Sequence, residues 1–503
     1  MSTNQPLNLL MIITDQQRAD SIQAYGNPLV HTPHLDRLAA SGIRYDRAYC
    51  ESPECCPARS MIFSGQWGHQ TGNLGNGFVR KLDATLADKL NEAGYWTEYA
   101  GKMHAYPKEN TWGFQKVHRS EECWPPEEDD FAKYIADQGL DWVYEPSGIR
   151  HEYYYVPQAS QVPDRHHNTT WVGNRTVEFL EHASAEQPWC FVASFIKPHP
   201  PFDPTTPYLN LYDPADMPLP VRTAADRDGM WPLQQAQNYA KWTEQTDDNM
   251  ARLIKAAYYA SVTQIDTQIG RILDRLEEQG LRENTLILFV SDHGEMLGDH
   301  YQWGKRSYYN GSSRIPFLLS CPGRLPEGVV SEDLIGHRDI APTLLDAAGL
   351  TINPEAWAGD SLLPRATGRT DYPWREVTFG ELMTDTYHLM ESGEREKLAS
   401  IYMVADRRWK YIYSPNGGTE HLFDLDQDPD ELNSLHHEPA AADVKQRLRS
   451  ELVQFYRSVG FSPALNEAGT DLQRVPLTEV PTMRNRQYSP YDPHHLERRS
   501  GRN

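Results

Sequence analysis

Apolar runs that end in polar residues alternate with helix-like patterns through the first three quarters of the chain. Residues 8–14 predict a buried strand with Asp15 and Gln16 at its end. Residues 190–196 and 286–290 predict two more strands, each leading into a short polar segment. This alternation is typical of an α/β fold with a large, mostly parallel sheet flanked by helices. In such sheets, chemistry gathers at the carboxyl ends of the strands.

Helices are predicted between these strands. Residues 57–64 show one helical pattern, which places Cys55 at or just before a helix N-terminus. Backbone N–H groups and the helix dipole favour an anion at that position. Apolar residues also recur at helical spacing over residues 262–276, and Gly280 ends this amphipathic helix.

The pattern changes after about Pro373 to shorter strand-like runs and one helix at about residues 441–459. We therefore predict a catalytic domain over residues 1–373 and a smaller C-terminal α+β domain, with an antiparallel sheet and a helix, over residues 374–470. The remaining tail, residues 471–503, is rich in Pro, Arg and Asn. This composition is typical of a disordered segment or of an arm packed on another surface.

The net charge of the chain indicates which classes of partner are not expected. The formal charge is -22 at pH 7, from 48 basic and 70 acidic side chains. An excess of this size repels polyanions at long range, which argues against a nucleic-acid partner and against an anionic membrane surface. If the substrate is an anion, its attraction must come from local groups.

Cysteine usage and the N-terminal sequence predict the compartment. The six cysteines are too few and too scattered for a disulfide framework in a chain of 503 residues. The first residues lack the basic segment and the apolar core of a signal peptide, and no stretch approaches the length of a membrane span. We expect a cytoplasmic protein in a reducing compartment.

The most informative segment is Cys-Cys-Pro-Ala-Arg at residues 55–59. It can be read as a buried pair of thiols before a helix, or as part of a zinc site with Cys50. The zinc reading lacks a second closely spaced Cys or His pair that would complete the ligands. A nucleophilic Cys55 fits better, because the helix N-terminus and Arg59 would stabilise its thiolate.

Two strand ends predict a metal site. Asp15-Gln16 and Asp292-His293 follow predicted parallel strands, so they can converge although they are far apart in sequence. Oxygen donors with at most one imidazole suit calcium or magnesium better than zinc. The plainer alternative is that each aspartate caps the loop after its strand. Together with the cysteine segment, the two ends favour a metal.

Further candidate residues lie in short motifs. Lys102 and His104 belong to Gly-Lys-Met-His, His199 to Lys-Pro-His-Pro and Lys305 to Trp-Gly-Lys. Taken alone, such a lysine is a solvated charge and such a histidine is a surface or turn residue. Asn76 lies in a glycine-rich segment, where a turn residue is nearly as good an interpretation.

Together these motifs resemble those of the type I sulfatases, a family of the alkaline-phosphatase-like superfamily. The family signature, Cys or Ser-x-Pro-x-Arg, fits residues 55–59, and the resemblance runs from residue 8 to about residue 350. It implies an alkaline-phosphatase/sulfatase-like fold and cleavage of a sulfate monoester. It also implies that Cys55 is oxidised after translation to formylglycine, whose hydrate is the nucleophile, while Cys56 stays an ordinary residue.

The resemblance also assigns roles. Arg59 would stabilise the formylglycine hydrate, and Lys102 and Lys305 would hold sulfuryl oxygens. His199 would protonate the leaving alcohol, and His104 would then take a proton from the hydrate to expel sulfate. Asn76 is an implied substrate contact. The implied ligands of Ca²⁺, with Mg²⁺ or Mn²⁺ as alternatives, are Asp15, Gln16, residue 55, Asp292 and His293.

The sequence departs from the common family pattern at the metal site. Many sulfatases have Asp-Asp and Asp-Asn where this chain has Asp-Gln and Asp-His. Similar variants occur in choline-sulfatase-like and phosphonate-hydrolase-like branches, so a phosphonate monoester or phosphodiester hydrolase is the runner-up function. Phosphonate monoester hydrolases usually lack the pair formed here by Lys102 and His104. An alternative of another class is a non-catalytic binding protein in which Cys55 is never modified.

The expected partners follow from the same reading. The substrate is expected to be a small sulfated molecule, such as a sulfated mono- or disaccharide, because the acidic surface repels a long sulfated polymer. A formylglycine-generating enzyme or a radical maturase would have to act on Cys55. A homo-oligomer is compatible with the sequence, whereas nucleic-acid and membrane partners are not expected.

Overall fold

The structure is a computed structural model. It describes residues 6–76, 84–105, 107–122, 125–150, 154–184, 186–228, 246–369, 371–383 and 398–478. Most of the predicted tail, from residue 479 onward, lies outside the described residues, as does Cys123.

An eight-stranded sheet forms the centre of the molecule. Its strands, in the order in which they lie side by side, are β5 (Lys116–Arg119), β4 (Trp96–Gly101), β6 (Trp189–Pro198), β1 (Asn8–Asp15), β7 (Thr285–Ser291), β8 (Phe317–Ser320), β2 (Ile43–Tyr45) and β9 (Val329–Ser331).

This sheet is mixed but mostly parallel, as predicted. β8 runs antiparallel to both of its neighbours, and the other neighbouring pairs are parallel. Every residue of β1, β6 and β7 is buried, because apolar clusters cover both faces of the sheet. Strands covered on both faces become continuous apolar runs, and this explains why the sequence pattern identified them.

Helices and a short strand pair surround the sheet. β3 (Ala48–Tyr49) pairs in parallel with β10 (Ile335–Gly336). The helices in the described part of the chain are α1 (Pro33–Ala40), α2 (Cys55–Ser64), α3 (Gly68–Thr71), α4 (Leu86–Glu92), α5 (Asp130–Asp137), α6 (Asn168–His182), α7 (Thr206–Leu209), α8 (Ala224–Asp228), α9 (Asp248–Glu278), α10 (Asn310–Ser313), α11 (Ile340–Ala347), α12 (Leu363–Ala366) and α13 (Ala442–Ser458).

The C-terminal part contains the expected antiparallel sheet and helix. Its four strands, in spatial order, are β11 (Thr378–Met383), β12 (Ser400–Ala405), β13 (Trp409–Ser414) and β14 (Thr419–Asp424). One face of this small sheet packs on α13, and the other packs on apolar residues of the larger part of the chain. The predicted boundary at residue 373 stays a prediction.

None of the helices in the described part of the chain is both long enough and apolar enough to span a membrane.

Candidate active site

Four adjacent parallel strands deliver predicted site residues to one edge of the large sheet. β1 ends at Asp15 and β7 is followed directly by Asp292, whose backbone N–H donates to the Thr14 carbonyl at 3.1 Å. β4 is followed by Lys102, and β6 ends one residue before His199. The convergence expected from the strand ends is therefore present.

The turn into Lys102 requires a glycine. A side chain at Gly101 would place its Cβ 1.8 Å from the carbonyl oxygen of Ser194 on β6, and Gly101 has a φ of +113°. Because only glycine tolerates both the contact and the dihedral angle, β4 can lie against β6 up to its last residue. The Lys102 N–H then donates to the same Ser194 carbonyl at 3.0 Å, which fixes where the lysine leaves the sheet.

Cys55 is the first residue of α2 and is buried at the centre of the site. Its Sγ lies 3.1 Å from Lys305 Nζ and 3.1 Å from His293 Nε2. Burial raises the pKa of the Cys55 thiol, but the surrounding cations, led by Lys305, outweigh this and leave the pKa below its ordinary value. If Cys55 is converted to formylglycine, as predicted, the aldehyde takes the place of this thiol.

Cys56 has a different environment although it is the next residue. Its backbone N–H donates to Asn76 Oδ1 at 3.0 Å, and its Sγ contacts the His104 carbonyl oxygen at 3.6 Å. Asn76 therefore contacts the first turn of α2, beside the proposed nucleophile.

The predicted metal ligands converge. Asp15, Cys55, Asp292 and His293 each offer a ligand atom, and these atoms all lie within 4.8 Å of one another. All four residues are buried. The two carboxylates and the one imidazole are donors that suit a hard divalent cation. The residues present fit the predicted metal.

Gln16 joins this group through its amide. Its Oε1 accepts a hydrogen bond from Lys305 Nζ at 2.8 Å, and its backbone N–H donates to Asp292 Oδ1 at 3.1 Å. Gln16 has a φ of +69°, a left-handed conformation that is uncommon for a residue with a side chain. Strain of this kind is often found at functional sites.

Arg59 lies behind the carboxylates. Its Nε donates to Asp292 Oδ2 at 3.0 Å, and one of its terminal nitrogens lies 3.5 Å from Asp15 Oδ2. Another terminal nitrogen donates to the Lys102 carbonyl at 2.6 Å. Arg59 therefore holds two predicted metal ligands and the loop of a predicted sulfate lysine. Burial opposes the low pKa of Asp292, but His293 and Arg59 hold that pKa well below its ordinary value.

The two predicted sulfate lysines contact different partners in the site. Lys305 contacts Cys55 and Gln16, whereas Lys102 Nζ donates to the carboxylates of Asp15 and Glu122. Burial lowers the pKa of Lys102, but these two carboxylates outweigh it and raise the pKa well above its ordinary value. Both positive charges are thus available to an anion bound beside residue 55.

The two predicted histidines are buried or nearly so. Burial, reinforced by Lys102, lowers the pKa of His104 to about 4. His199 Nδ1 lies 2.7 Å from the Pro200 carbonyl oxygen, and its Nε2 lies 3.5 Å from the Tyr154 hydroxyl. Burial lowers the pKa of His199 well below its ordinary value. A neutral His104 can accept a proton at pH 7.

Sequence reasoning missed three acidic residues that hold the site. Glu122 contacts Lys102, Glu295 contacts the Gln16 amide, and Glu54 pairs with Arg306 beside Lys305. Glu54 immediately precedes the cysteine motif, so its position was a signal that could have been used. Glu122 and Glu295 lie in irregular segments, and only the folded chain brings them to the site.

Comparison with known proteins identifies relatives over nearly the whole chain. A family model described as Sulfatase matches residues 7–350, and a model described as N-sulphoglucosamine sulphohydrolase, C-terminal, matches residues 298–458. The chain is similar to an arylsulfatase of Clostridium perfringens (strain 13 / Type A), with 32% identity over 85% of this chain and 90% of the relative. It is also similar to a choline-sulfatase of Rhizobium meliloti (strain 1021), with 28% identity over 100% of this chain and 96% of the relative.

Among solved structures, the chain is similar to the phosphonate monoester hydrolase of Agrobacterium radiobacter. The TM-score is 0.76 at 25% sequence identity, and the match covers 94% of this chain and 100% of the other.

Proposed function

The chain belongs to the sulfatase family, and we propose that it hydrolyses the sulfate monoester of a small sugar, such as a sulfated mono- or disaccharide, or of another small alcohol, using a formylglycine made from Cys55 and a divalent cation. Hydrolysis of a sulfate monoester follows from family membership. The observation that carries the finer proposal is the position of Cys55, which lies 3.1 Å from both Lys305 Nζ and His293 Nε2 in a buried site.

Charge neutralisation is the first requirement of the reaction. We propose that Lys102, which is buried, and Lys305, whose Nζ lies 3.1 Å from Cys55 Sγ, bind sulfuryl oxygens in a site where little water competes. Arg59 holds Asp15 and Asp292, so the carboxylates stay fixed while the substrate binds. The charged groups proposed to bind the sulfate are therefore in position before the substrate binds.

Two groups that the chain requires are implied by the family. Formylglycine, when hydrated, carries two hydroxyl groups on one carbon. One supplies the nucleophile, and the other allows sulfate to be expelled without a separate hydrolytic water. A divalent cation, when bound by Asp15, Gln16, Asp292, His293 and residue 55, supplies positive charge beside the sulfate. We propose Ca²⁺, with Mg²⁺ or Mn²⁺ as alternatives, because the donors are mainly oxygen atoms.

Proton transfer is assigned to the two histidines. His199 follows the last residue of β6 and is proposed to protonate the departing alcohol oxygen. This role requires that the negative charge of the bound sulfate raise the pKa of His199, which burial lowers. His104, whose pKa burial lowers to about 4, is neutral at pH 7 and is proposed to accept the proton of the formylglycine hydrate. Each histidine then acts in one half of the reaction.

A phosphonate monoester or phosphodiester hydrolase is the second candidate. The similarity to a phosphonate monoester hydrolase favours it, and so do Gln16 and His293. Lys102 and His104 oppose it, because two lysines and a bound cation would neutralise three non-bridging oxygens and leave little room for a second ester arm. The comparison to make is kcat/KM for a sulfate monoester, a phosphodiester and a phosphonate of the same alcohol. We expect the sulfate ester to be preferred, and a phosphodiester preference would reverse the proposal.

The formylglycine proposal is tested with two neighbouring cysteines. Cys55→Ala should abolish turnover, whereas Cys56→Ala, a matched change one residue away, should keep the fold and much of the activity. Mass spectrometry of the peptide that spans residue 55 should show the aldehyde in active protein. Equal and complete loss in both variants, or an active protein with an intact Cys55 thiol, would contradict the assignment. A protein that binds sulfate esters, keeps the Cys55 thiol and shows no turnover would instead support the non-catalytic binding-protein alternative.

Maturation and location are part of the same proposal. A formylglycine-generating enzyme or a radical maturase acts on Cys55 in this scheme, and we place the reaction in the cytoplasm. The described cysteines are free thiols. Co-expression with a maturase should raise both the formylglycine fraction and the specific activity in proportion.

A further inference from the structure

We propose that Glu122 is a specificity-determining residue whose carboxylate accepts a hydrogen bond from a neutral hydroxyl group next to the sulfate ester of the substrate. The inference rests on the proposed function, because it takes Lys102 as a sulfate-binding residue and His199 as the proton donor. It adds a requirement on the alcohol, which the family motifs do not specify.

Glu122 touches two residues that mark the two sides of the bond to be broken. Its carboxylate accepts a hydrogen bond from Lys102 Nζ, on the sulfuryl side. The same oxygen lies 3.6 Å from Nδ1 of His199, the residue proposed to protonate the leaving oxygen. A carboxylate this close to both Lys102 and His199 lies beside the ester linkage in the proposed reaction.

Exposure shows on which side of Lys102 the alcohol lies. Lys102 is held between two carboxylates, and its own side chain is 1% exposed. Asp15, on the metal side, is 0% exposed, whereas Glu122 is 17% exposed. Because the alcohol part of the substrate extends toward solvent, Glu122 faces the alcohol and Asp15 faces the metal site.

The charges around Glu122 favour a neutral donor. Arg150 lies 2.6 Å from the other oxygen of Glu122, and its guanidinium packs 5.4 Å from the centre of the Tyr154 ring. Lys102 and Arg150 thus already balance the negative charge. A carboxylate has about four lone-pair positions, so Glu122 can still accept a hydroxyl hydrogen bond. An ammonium group would instead meet two nearby cations.

Three matched esters test this inference on the matured, calcium-loaded protein. They are the sulfate monoesters of cyclohexanol, of 2-hydroxycyclohexanol and of 2-aminocyclohexanol. The proteins compared are the wild type, Glu122→Ala, Glu122→Gln and the control Glu127→Gln, which removes an exposed carboxylate from the same segment. The measurement is the ratio of kcat/KM between the hydroxylated and the plain ester.

The ratio separates a specificity role from a general one. Loss of Glu122 also changes the electrostatics of Lys102, but that effect acts on every sulfate ester and cancels in the ratio. We expect a preference of about tenfold or more for the hydroxylated ester in the wild type and the control, since hydrogen bonds to charged groups reach that size. In Glu122→Ala the ratio should fall close to one, and Glu122→Gln should lie between.

Each other outcome is decisive. No preference in the wild type, or an equal loss on all esters in Glu122→Ala, would overturn the inference. A preference for the ammonium ester over the hydroxylated one would overturn the choice of a neutral donor. If the matured wild type released sulfate neither from the three esters nor from an aryl sulfate, the proposed function itself would fail. That result is distinguishable from the others, in which at least one ester is hydrolysed.

Discussion

The Gln16 amide shows how single residues outside the motifs fix the site. Glu295 is buried, and one of its oxygens accepts hydrogen bonds from the Gln16 amide nitrogen and from the Tyr155 hydroxyl, the latter at 3.1 Å. Its other oxygen accepts from the backbone N–H groups of Leu297 and Gly304, at 3.0 and 2.6 Å. Because Glu295 only accepts, the Gln16 nitrogen must face it, and Gln16 Oε1 is left to face Lys305 Nζ beside Cys55.

The first prediction follows from that orientation. Glu295→Gln replaces one accepting oxygen by an NH2 group, which then faces the N–H and O–H donors that surround Glu295. Gln16 therefore loses its fixed orientation. The affinity for calcium should fall by about tenfold to a hundredfold. It is measured by titration calorimetry on protein from which a chelator has removed the metal. Glu283→Gln, at an exposed residue on the same part of the chain, is the control. An unchanged affinity in Glu295→Gln would show that the Gln16 amide is not a ligand.

Residue types and spacing were sufficient to predict the motif residues but not their supports. Cys55, Asp15 and Asp292 could be predicted because each lies at the end of a strand or the start of a helix, and those elements have clear apolar patterns. Glu122 and Glu295 lie in irregular segments without periodicity. Their contacts are with residues distant in sequence, so a single sequence contains no local signal for them.

At the scale of elements, two short segments hold the nucleophile against its lysine. Glu54 precedes α2, and Arg306 follows Lys305. The Arg306 Nε donates to a Glu54 oxygen at 3.0 Å, and the Arg306 N–H donates to the Pro53 carbonyl at 3.1 Å. Both side chains of the pair are buried. The pair therefore fixes the distance between the start of α2 and Lys305.

The second prediction is that this pair is strongly coupled. Glu54→Gln or Arg306→Ala should each destabilise the protein by about 3 kcal/mol, because each removes one member of a buried ion pair. Each should also lower kcat, by up to about a hundredfold, because Lys305 loses its fixed position. The double variant should be far less destabilised than the sum of the two. Denaturant unfolding and kinetics measure these effects.

Two further variants complete this test. Arg306 has a φ of +77°, so Arg306→Gly removes the ion pair while suiting the backbone. It should be more stable than Arg306→Ala and still lose activity. Lys133→Ala, which removes an exposed ion pair with Asp137, is the control and should have little effect. Additive losses in the double variant would contradict the coupling.

Element boundaries show where periodicity succeeds and where it fails. The pattern over residues 262–276 predicted one half of α9, but the helix spans Asp248–Glu278. Its first half packs on a separate apolar cluster that includes tyrosine and alanine, so it lacks a regular stripe of large aliphatic residues. The true start is set by Asp247, whose side chain accepts the Met250 N–H at 2.8 Å. The apolar period alone does not predict a capping residue this far from the stripe of large aliphatic residues.

At the scale of the whole molecule, the small sheet is attached to the larger part through a shared apolar cluster. Ile412 and Phe423 of the small sheet pack there with Tyr309 and Met296. His421 is paired with Ile412 across the strands and lies with its ring 6.2 Å from that of Tyr309. Burial, reinforced by the neighbouring histidines His436 and His300, lowers its pKa to about 3. The contact between the two parts therefore contains a histidine that is neutral when folded.

The third prediction concerns acid stability. The unfolded chain has an ordinary histidine pKa near 6.5, above the folded value, so it binds more protons between these two values. The contribution of His421 to stability is therefore complete above about pH 6.5 and declines as the pH falls toward 3. His421→Gln should lose less stability than the wild type between pH 7 and 5. The exposed His182→Gln serves as the control, and identical pH responses in all three proteins would contradict the prediction.

The last prediction is that bound calcium stabilises the whole molecule. Asp15 and Asp292 are buried side by side at the ends of neighbouring central strands, and their negative charges repel each other. A cation held between them binds only the folded state, and at a hundredfold excess over Kd it adds about 2.7 kcal/mol of stability. The apparent Tm, measured at one scan rate, should therefore fall on chelation and recover with Ca²⁺ or Mg²⁺. Asp292→Asn should show no such recovery. An equal shift in that variant, or recovery with zinc alone, would overturn the ligand set.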